Sequence, residues 1–191
     1  IKVDIIEPEV SDGQDELEKR KASSPSKVLE KVKAYISENQ LSAEDGDSLW
    51  CVIDVDRWPQ EQIEELYKFC AQKKNWHLVI SNPCIEIWLL YHKLCDLSKL
   101  GILTAKDAKR ALDKLEKGGY YYIKYLPLML NTIENARKAD ANPDGYMPEH
   151  LQTKVYMLGQ ALYERMGKVR FDKFVASLPG IEKDILRHTK G

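Results

Sequence analysis

Two aspartates that follow an apolar run, Asp54 and Asp56, are the residues whose type and spacing best suit catalysis. The run over residues 49–53 is typical of a buried strand, and in a strand residues i and i+2 point to the same side. Two carboxylates therefore face one way where the strand stops, which is where open α/β sheets place their ligands. Because oxygen-only donors favour Mg²⁺ or Mn²⁺, the pair predicts a divalent-metal site. The alternative is two solvated loop carboxylates ahead of Pro59.

A third carboxylate, Glu86, stands inside the apolar run over residues 84–92, where a charged residue is unusual. Its helix follows the strand that comes after the aspartate pair, so its side chain could open on the same sheet edge and join the metal site. A first-turn glutamate favoured by the helix dipole explains the position equally well. The pattern leaves both interpretations open.

Four other polar residues are candidates for contact with nucleic acid: Asn82, His92, Arg137 and Lys138. Each has a structural alternative. Asn82 could cap a helix that has Pro83 at its first position, and His92 could be favoured by the dipole at a helix end. Arg137 and Lys138 could contact phosphates or form a solvated helix face.

The elements that must position these residues alternate between strands and helices. The periodicity predicts strands over residues 1–6, 49–56 and 76–80, and helices that begin at Pro25 or cover residues 60–74 and 84–92. Such alternation predicts an α/β fold in which a mostly parallel sheet is flanked by crossover helices. We place this core in residues 1–95, and a mainly α-helical region, packed on the core, in residues 96–191.

Composition excludes several broad classes of protein. Lys and Arg total 29 against 30 for Asp and Glu, so a net charge of -1 excludes a basic field over the whole chain but not a local basic groove. The four cysteines form neither a C-x-x-C pair nor zinc-finger spacing with histidine, which favours reduced core thiols in a cytoplasmic protein. The sequence shows no signal peptide and no apolar run long enough to span a membrane. Because it also lacks a Gly-rich phosphate loop, a small-molecule phosphotransferase is a minor alternative.

Two strings of this sequence resemble the RloB family. One covers residues 51–56, and the more specific one covers residues 80–92, where Ser-Asn-Pro-Cys is followed by Glu86 between apolar residues, by Trp-Leu-Leu and by His92. Weaker similarity appears at residues 134–138, which look like the family's Asn-Ala-basic helix. Asn142-Pro143 and residues 153–156 resemble fragments of its Asn-Pro-x-Thr-x-Val segment, here split by an insertion.

The resemblance implies a Toprim-like catalytic fold and cleavage of phosphodiester bonds that depends on Mg²⁺ or Mn²⁺. Asp54 and Asp56 match the family's metal-binding pair, and Glu86 matches a glutamate of its second string. The family's first-strand glutamate lies in a Glu-Gly pair ahead of the strand that begins this chain. Either that pair stands upstream of Ile1, or this protein is a degenerate member that lacks the glutamate. Arg57 stands where members often have aspartate, which lowers the local negative charge available to a second metal.

The resemblance also implies a role in bacterial restriction loci and abortive infection. The chain would act there as a metal-dependent nuclease on RNA or DNA, beside an ATPase encoded alongside it. The alternative is a non-catalytic Toprim-like module that binds nucleic acid or the partner ATPase through its helical half. In either case we expect a cytoplasmic protein with no membrane partner.

Overall fold

The computed structural model describes residues 4–6, 23–42, 44, 46–55, 57–116 and 121–178. These residues contain two strands, β1 (Leu49–Asp54) and β2 (Trp76–Ser81). They also contain eight α-helices: α1 (Pro25–Asn39), α2 (Gln60–Cys70), α3 (Glu86–Leu90), α4 (Ala105–Leu115), α5 (Tyr122–Tyr125), α6 (Met129–Ala139), α7 (Val155–Met166) and α8 (Lys168–Ser177). The chain divides into two compact units, Ile1–Leu78 and Val79–Gly191. The division into domains at residues 95 and 96 stays a prediction.

β1 and β2 form a two-stranded parallel sheet joined by the crossover helix α2. Alternate residues of β1 are buried, namely Leu49, Cys51 and Ile53, whereas Val52 is exposed. The strand therefore has one covered face, as its apolar run predicts. This arrangement confirms a mixed α/β fold with a parallel sheet and many helices.

Helix α1 begins where its capping signal predicts. Ser24 Oγ accepts a hydrogen bond from the backbone N–H of Lys27 at 3.4 Å, and Pro25 occupies the first turn. A capping oxygen satisfies a backbone donor that the first turn leaves without a partner. Leu29 and Val32 are buried on α1, which packs against α2 in the same unit.

Four predicted elements differ from the structure. The strand predicted over residues 49–56 ends at Asp54. Residues 4–6 belong to no helix or strand and residues 1–3 lie outside the described ranges, so the strand predicted over residues 1–6 is wrong at least for residues 4–6. α2 ends at Cys70 instead of residue 74. The helix predicted over residues 84–92 is shortened to α3, because hydrogen bonds on either side of it change to the tighter i to i−3 spacing. Apolar periodicity carries no information about this change of spacing.

The second unit is mainly helical. α4 begins at a capping box, in which Thr104 Oγ1 accepts from Asp107 N at 3.3 Å and Asp107 Oδ2 accepts from Thr104 N at 3.0 Å. α4 packs on α3, and α7 packs on α6. A Cβ atom at Gly159 of α7 would lie 3.3 Å from Cγ1 of Ile133 and 3.4 Å from Cη2 of Trp88, so glycine permits the close contact there.

Within the described ranges, no helix combines the length and the apolar character that a membrane crossing requires. The expected cytoplasmic location stays a prediction.

Candidate functional site

Asp54 is the last residue of β1 and is partly exposed. The buried side chains of Cys51 and Ile53 hold the strand beneath it, so the carboxylate leaves the sheet at a fixed point. Asp56 lies outside the described residues. Arg57 is exposed, and its guanidinium lies 5.9 Å from the centre of the Trp58 ring. Binding of a metal by the aspartate pair stays a prediction.

Asn82 is held in the loop that follows β2. Its side-chain Nδ2 donates to the carbonyl oxygen of Pro148 at 3.0 Å. Its backbone N–H donates to Gln152 O at 2.9 Å, and its carbonyl oxygen accepts from Leu151 N at 2.9 Å. The N-cap of α3 is Ile85, so the alternative in which Asn82 caps this helix is wrong. Contact between Asn82 and nucleic acid stays a prediction.

Glu86 opens α3 and is half-buried. Its Oε2 atom is fully buried and has no hydrogen-bond partner among the described residues. A buried acceptor without a partner costs roughly 1–3 kcal/mol, so native proteins usually satisfy such an atom with protein, water or an ion. The position in the first turn suits the helix dipole, but the dipole gives Oε2 no partner. The Oε2 atom of Glu86 is therefore a candidate acceptor for a water molecule or an ion.

Residues 151–154 lie antiparallel beside the end of β2. The backbone N–H of Lys154 donates to Ile80 O at 2.7 Å, and a β-bridge joins Ser81 to Thr153. The buried hydroxyl oxygens of Ser81 and Thr153 are 2.8 Å apart. This pairing fixes the loop that carries Asn82, because both sides of the loop are bonded to one segment.

A buried ion pair lies at the end of that segment. Lys154 Nζ is 2.6 Å from Asp140 Oδ2, and the two side chains are 1% and 0% exposed. Lys154 Nζ also donates to Asn142 O, and the Tyr156 hydroxyl donates to Asp140 Oδ2 at 2.8 Å. Burial, and then the bond to Asp140, raise the pKa of Tyr156 above its usual range, so the hydroxyl stays protonated.

Sequence reasoning missed the ion pair between Asp140 and Lys154. Its only trace in the sequence is a lysine set among Thr153, Val155 and Tyr156, a run of β-branched and aromatic residues in which a charge is unusual. The acidic partner is 14 residues away in the chain, so no local pattern identifies it.

His92 is buried at the end of the segment that follows α3. Its Nδ1 donates to Trp88 O at 3.1 Å, and its ring contacts the rings of Trp88 and Tyr125 edge to face, with centroids 5.2 Å and 4.9 Å away. Burial lowers the pKa of His92 to about 4, because the charged imidazolium loses its hydration. The ring is therefore neutral at pH 7. Its contact with nucleic acid stays a prediction.

The neighbouring Tyr91 is also tied to other elements of this unit. Its hydroxyl donates to Leu151 O at 2.8 Å, and burial raises its pKa to about 12. Its carbonyl oxygen accepts from Nδ2 of Asn135 at 3.0 Å, which joins α6 to the residues after α3. These bonds keep the specific sequence string over residues 80–92 in place from both ends.

A family model described as RloB-like protein matches residues 2–162, well over half of the chain. The chain belongs to the RloB-like family. The match includes both sequence strings on which the resemblance rests and therefore confirms it. No curated protein and no solved structure matches the chain.

The last two candidates of this RloB-like chain, Arg137 and Lys138, are exposed in the final turn of α6. Lys138 pairs with Glu134 at 2.7 Å, and both side chains are largely exposed. Exposed pairs of this kind are weak, so they leave the cation available to a phosphate. Such a contact stays a prediction.

The candidate metal ligands of this chain have the chemical type that a hard divalent cation prefers. Asp54 and Glu86 each offer only oxygen, and one oxygen of Glu86 is buried without a protein partner. In the part of the chain that the structure describes, no group of three or more His, Cys, Asp or Glu side chains is arranged to hold a metal. Asp56, the predicted second ligand, lies outside that part.

Proposed function

We propose that this RloB-like chain is a metal-dependent nuclease of Toprim-like fold that cleaves phosphodiester bonds in nucleic acid during bacterial defence against phage. The observation that carries the proposal is that Asp54, the first aspartate of the family's Asp-x-Asp pair, ends a parallel strand with one buried face. Ligands of open α/β sheets bind at the carboxyl ends of such strands. Family membership supports the same assignment, since the match includes both aspartates.

The proposal gives each acidic residue a role. Asp54 and Asp56 hold Mg²⁺ or Mn²⁺, which when bound offsets the negative charge that develops on the phosphate oxygens. Glu86, whose Oε2 is buried without a protein partner, is the third proposed catalytic carboxylate because it matches the family's own glutamate.

The remaining contacts are proposed on charge and position. Arg137 and Lys138 are exposed cations at the end of α6 and would bind phosphates. Asn82 and His92 belong to the family's specific string and would act near the substrate. A partner ATPase and a cytoplasmic location complete the proposal, both on the family resemblance.

The test is cleavage of a panel of RNAs and DNAs by the full-length protein with Mg²⁺ or Mn²⁺. Asp54→Ala and Glu86→Gln should lower the rate of cleavage by roughly 100-fold or more, because each removes a charge-stabilising group. Asp172→Asn, which removes an exposed carboxylate from α8, is the matched control and should cleave normally. Binding of Mn²⁺, measured by calorimetry, should weaken in Asp54→Ala and remain unchanged in the control.

Full activity in Asp54→Ala would refute the proposal. An unaltered protein that cleaves none of the nucleic acids but still binds the ATPase would instead support the alternative, a non-catalytic module. Melting curves of every variant separate loss of chemistry from loss of folding.

A further inference from the structure

Helix α4 carries its charge on one side. Ala108 and Leu112 are buried, whereas four cations on the opposite side are exposed: Lys106, Lys109, Arg110 and Lys114. Their spacing of three and four residues places them on one face of a helix. We call these four residues the basic face of α4. It extends about 12 Å along the helix, at 1.5 Å per residue.

The positive charge on this face is only partly neutralised by ion pairs. The ion pair of Arg110 with Asp107 is long, at 3.6 Å, and the arginine side chain is 62% exposed. The other carboxylate oxygen of Asp107 is engaged by the backbone and hydroxyl of Thr104 in the capping box. The three lysines form no ion pair with the described residues. Asp107 and Asp113 are the two acidic residues of α4, so its four cations leave the helix with a formal charge of +2.

The basic face is held rigidly beside the helix that carries Glu86. α4 packs directly on α3. The capping box fixes its start, His150 Nε2 donates to Ile102 O at 2.8 Å just ahead of it, and Lys93 pairs with Glu116 at 3.2 Å just after it. Cations on a helix that is anchored at both ends keep a constant spacing, which favours a ligand with regularly spaced negative charges.

A nucleic-acid duplex has such charges. It carries one phosphate charge for about every 1.7 Å of its axis, or roughly seven over the length of the basic face. Surfaces that bind single strands combine cations with aromatic side chains on which bases stack. Residues 105–115 contain no Phe, Tyr or Trp, so the face offers contact to phosphates without contact to bases. This favours a duplex, in which the bases are already stacked on one another.

We propose that the basic face of α4 binds the phosphate backbone of a nucleic-acid duplex. The inference rests on the proposed nuclease function, because it supplies that function with a surface that brings the backbone to the helix of Glu86. Because the net charge over the whole chain is -1, no general basic field would account for such binding, which would depend on a local surface such as this face.

The test is fluorescence anisotropy with the full-length protein in EDTA, so that no substrate is cleaved. The probes are a labelled 24-base-pair duplex (prepared once as DNA and once as RNA) and the corresponding single strands; the duplex length is our choice, about two helical turns. The variant Lys106→Gln/Lys109→Gln/Lys114→Gln removes three charges and keeps helix propensity close to that of lysine. The matched control, Lys168→Gln/Arg170→Gln/Lys173→Gln, removes three exposed charges from α8.

The triple lysine variant of α4 should lose roughly 10- to 100-fold in affinity for at least one duplex at 100 mM NaCl. The slope of log K against log [NaCl] should fall in magnitude by about 2 to 3, because each lost phosphate contact removes about 0.9. The α8 control should keep both values. The inference is overturned if neither duplex binds, if the slope is unchanged, or if the control loses as much. Single strands that bind at least as tightly and lose as much overturn the choice of a duplex.

The binding experiment and the cleavage experiment can refute the two proposals independently. Asp54→Ala should bind the duplex in EDTA at least as tightly as the unaltered protein while losing cleavage, because without a metal the carboxylate can only repel a phosphate. Duplex binding that depends on α4 without any cleavage would leave the inference standing and the nuclease refuted. If cleavage depends on Asp54 but duplex binding does not depend on the basic face, the nuclease stands and the inference about α4 is refuted.

Discussion

Replacing Lys154 with methionine should remove a large part of the stability of the second unit. The side chains of Lys154 and Asp140 are 1% and 0% exposed, and their charged atoms are 2.6 Å apart. Methionine fills most of the space of the lysine stem, so the packing changes little. The variant therefore leaves the Asp140 carboxylate buried without its cation.

The size of the effect follows from what remains around Asp140. Removing one partner of a buried ion pair costs about 3–5 kcal/mol of unfolding free energy. Two donors stay in place, the Tyr156 hydroxyl at 2.8 Å and the backbone N–H of Asn142 at 3.1 Å. They reduce the penalty, so we expect a loss near the lower end of that range, about 3 kcal/mol.

The measurement is urea unfolding followed by circular dichroism, with hydrogen exchange of peptides that cover residues 80–84 and 151–156. Lys138→Met is the matched control, because Lys138 also pairs with a carboxylate, Glu134, at 2.7 Å but in an exposed position. Loss of an exposed helical pair should cost about 0.3–0.5 kcal/mol. Exchange should accelerate in both peptides of Lys154→Met and in neither peptide of the control.

A second variant separates the buried charge from the lost contacts. Asp140→Asn combined with Lys154→Met removes both charges, and it should recover part of the loss because no uncompensated carboxylate remains. If Lys154→Met costs less than about 1 kcal/mol, or no more than Lys138→Met, the charge on Asp140 is not held by Lys154 and the reasoning fails.

Two further predictions concern other buried positions of the same unit. Burial lowers the pKa of His92 to about 4 in the folded protein, from 6.5, so the unfolded state binds a proton first as the pH falls. Stability that is complete above pH 6.5 should therefore decrease by about 3 kcal/mol in total as the pH falls through 4. Urea unfolding at several pH values should show this slope reduced in His92→Gln, and equal slopes would contradict the assignment. Gly159→Val should place new atoms against Ile133 and Trp88, where a Cβ alone already lies 3.3 Å and 3.4 Å from them, and should cost about 1–3 kcal/mol. The melting temperature of Gly159→Val should then fall by several degrees. Gln160→Val, at the neighbouring position, is the control. If Gly159→Val melts at the same temperature as Gln160→Val, the helices can move apart without cost and the reasoning is wrong.

Features that depend on neighbours in the chain were predictable. The start of α1 at Ser24 and Pro25, and the capping box of Thr104 and Asp107, follow from residues no more than four positions apart. The strand that ends at Asp54 follows from an apolar run of one element. The family assignment rests on two short strings of residues, and the amino-acid sequence alone carries both of them.

Features that depend on residues far apart in the chain could not be predicted from the sequence. The partner of Lys154 is 14 residues away, and the partner of Ser81 is 72 residues away. The cations of α4 are visible in the sequence, but burial of Ala108 and Leu112, on a helix that packs on α3, decides that they face outwards.

Local chemistry therefore determines where helices start, which run becomes a strand and which family the chain joins, because capping bonds and alternation act over a few residues. Which polar groups become buried depends on folding as a whole. Burial of Lys154, Asp140 and His92 requires several elements to pack around each side chain, and the loss of hydration that shifts the pKa of His92 exists only after that packing has formed.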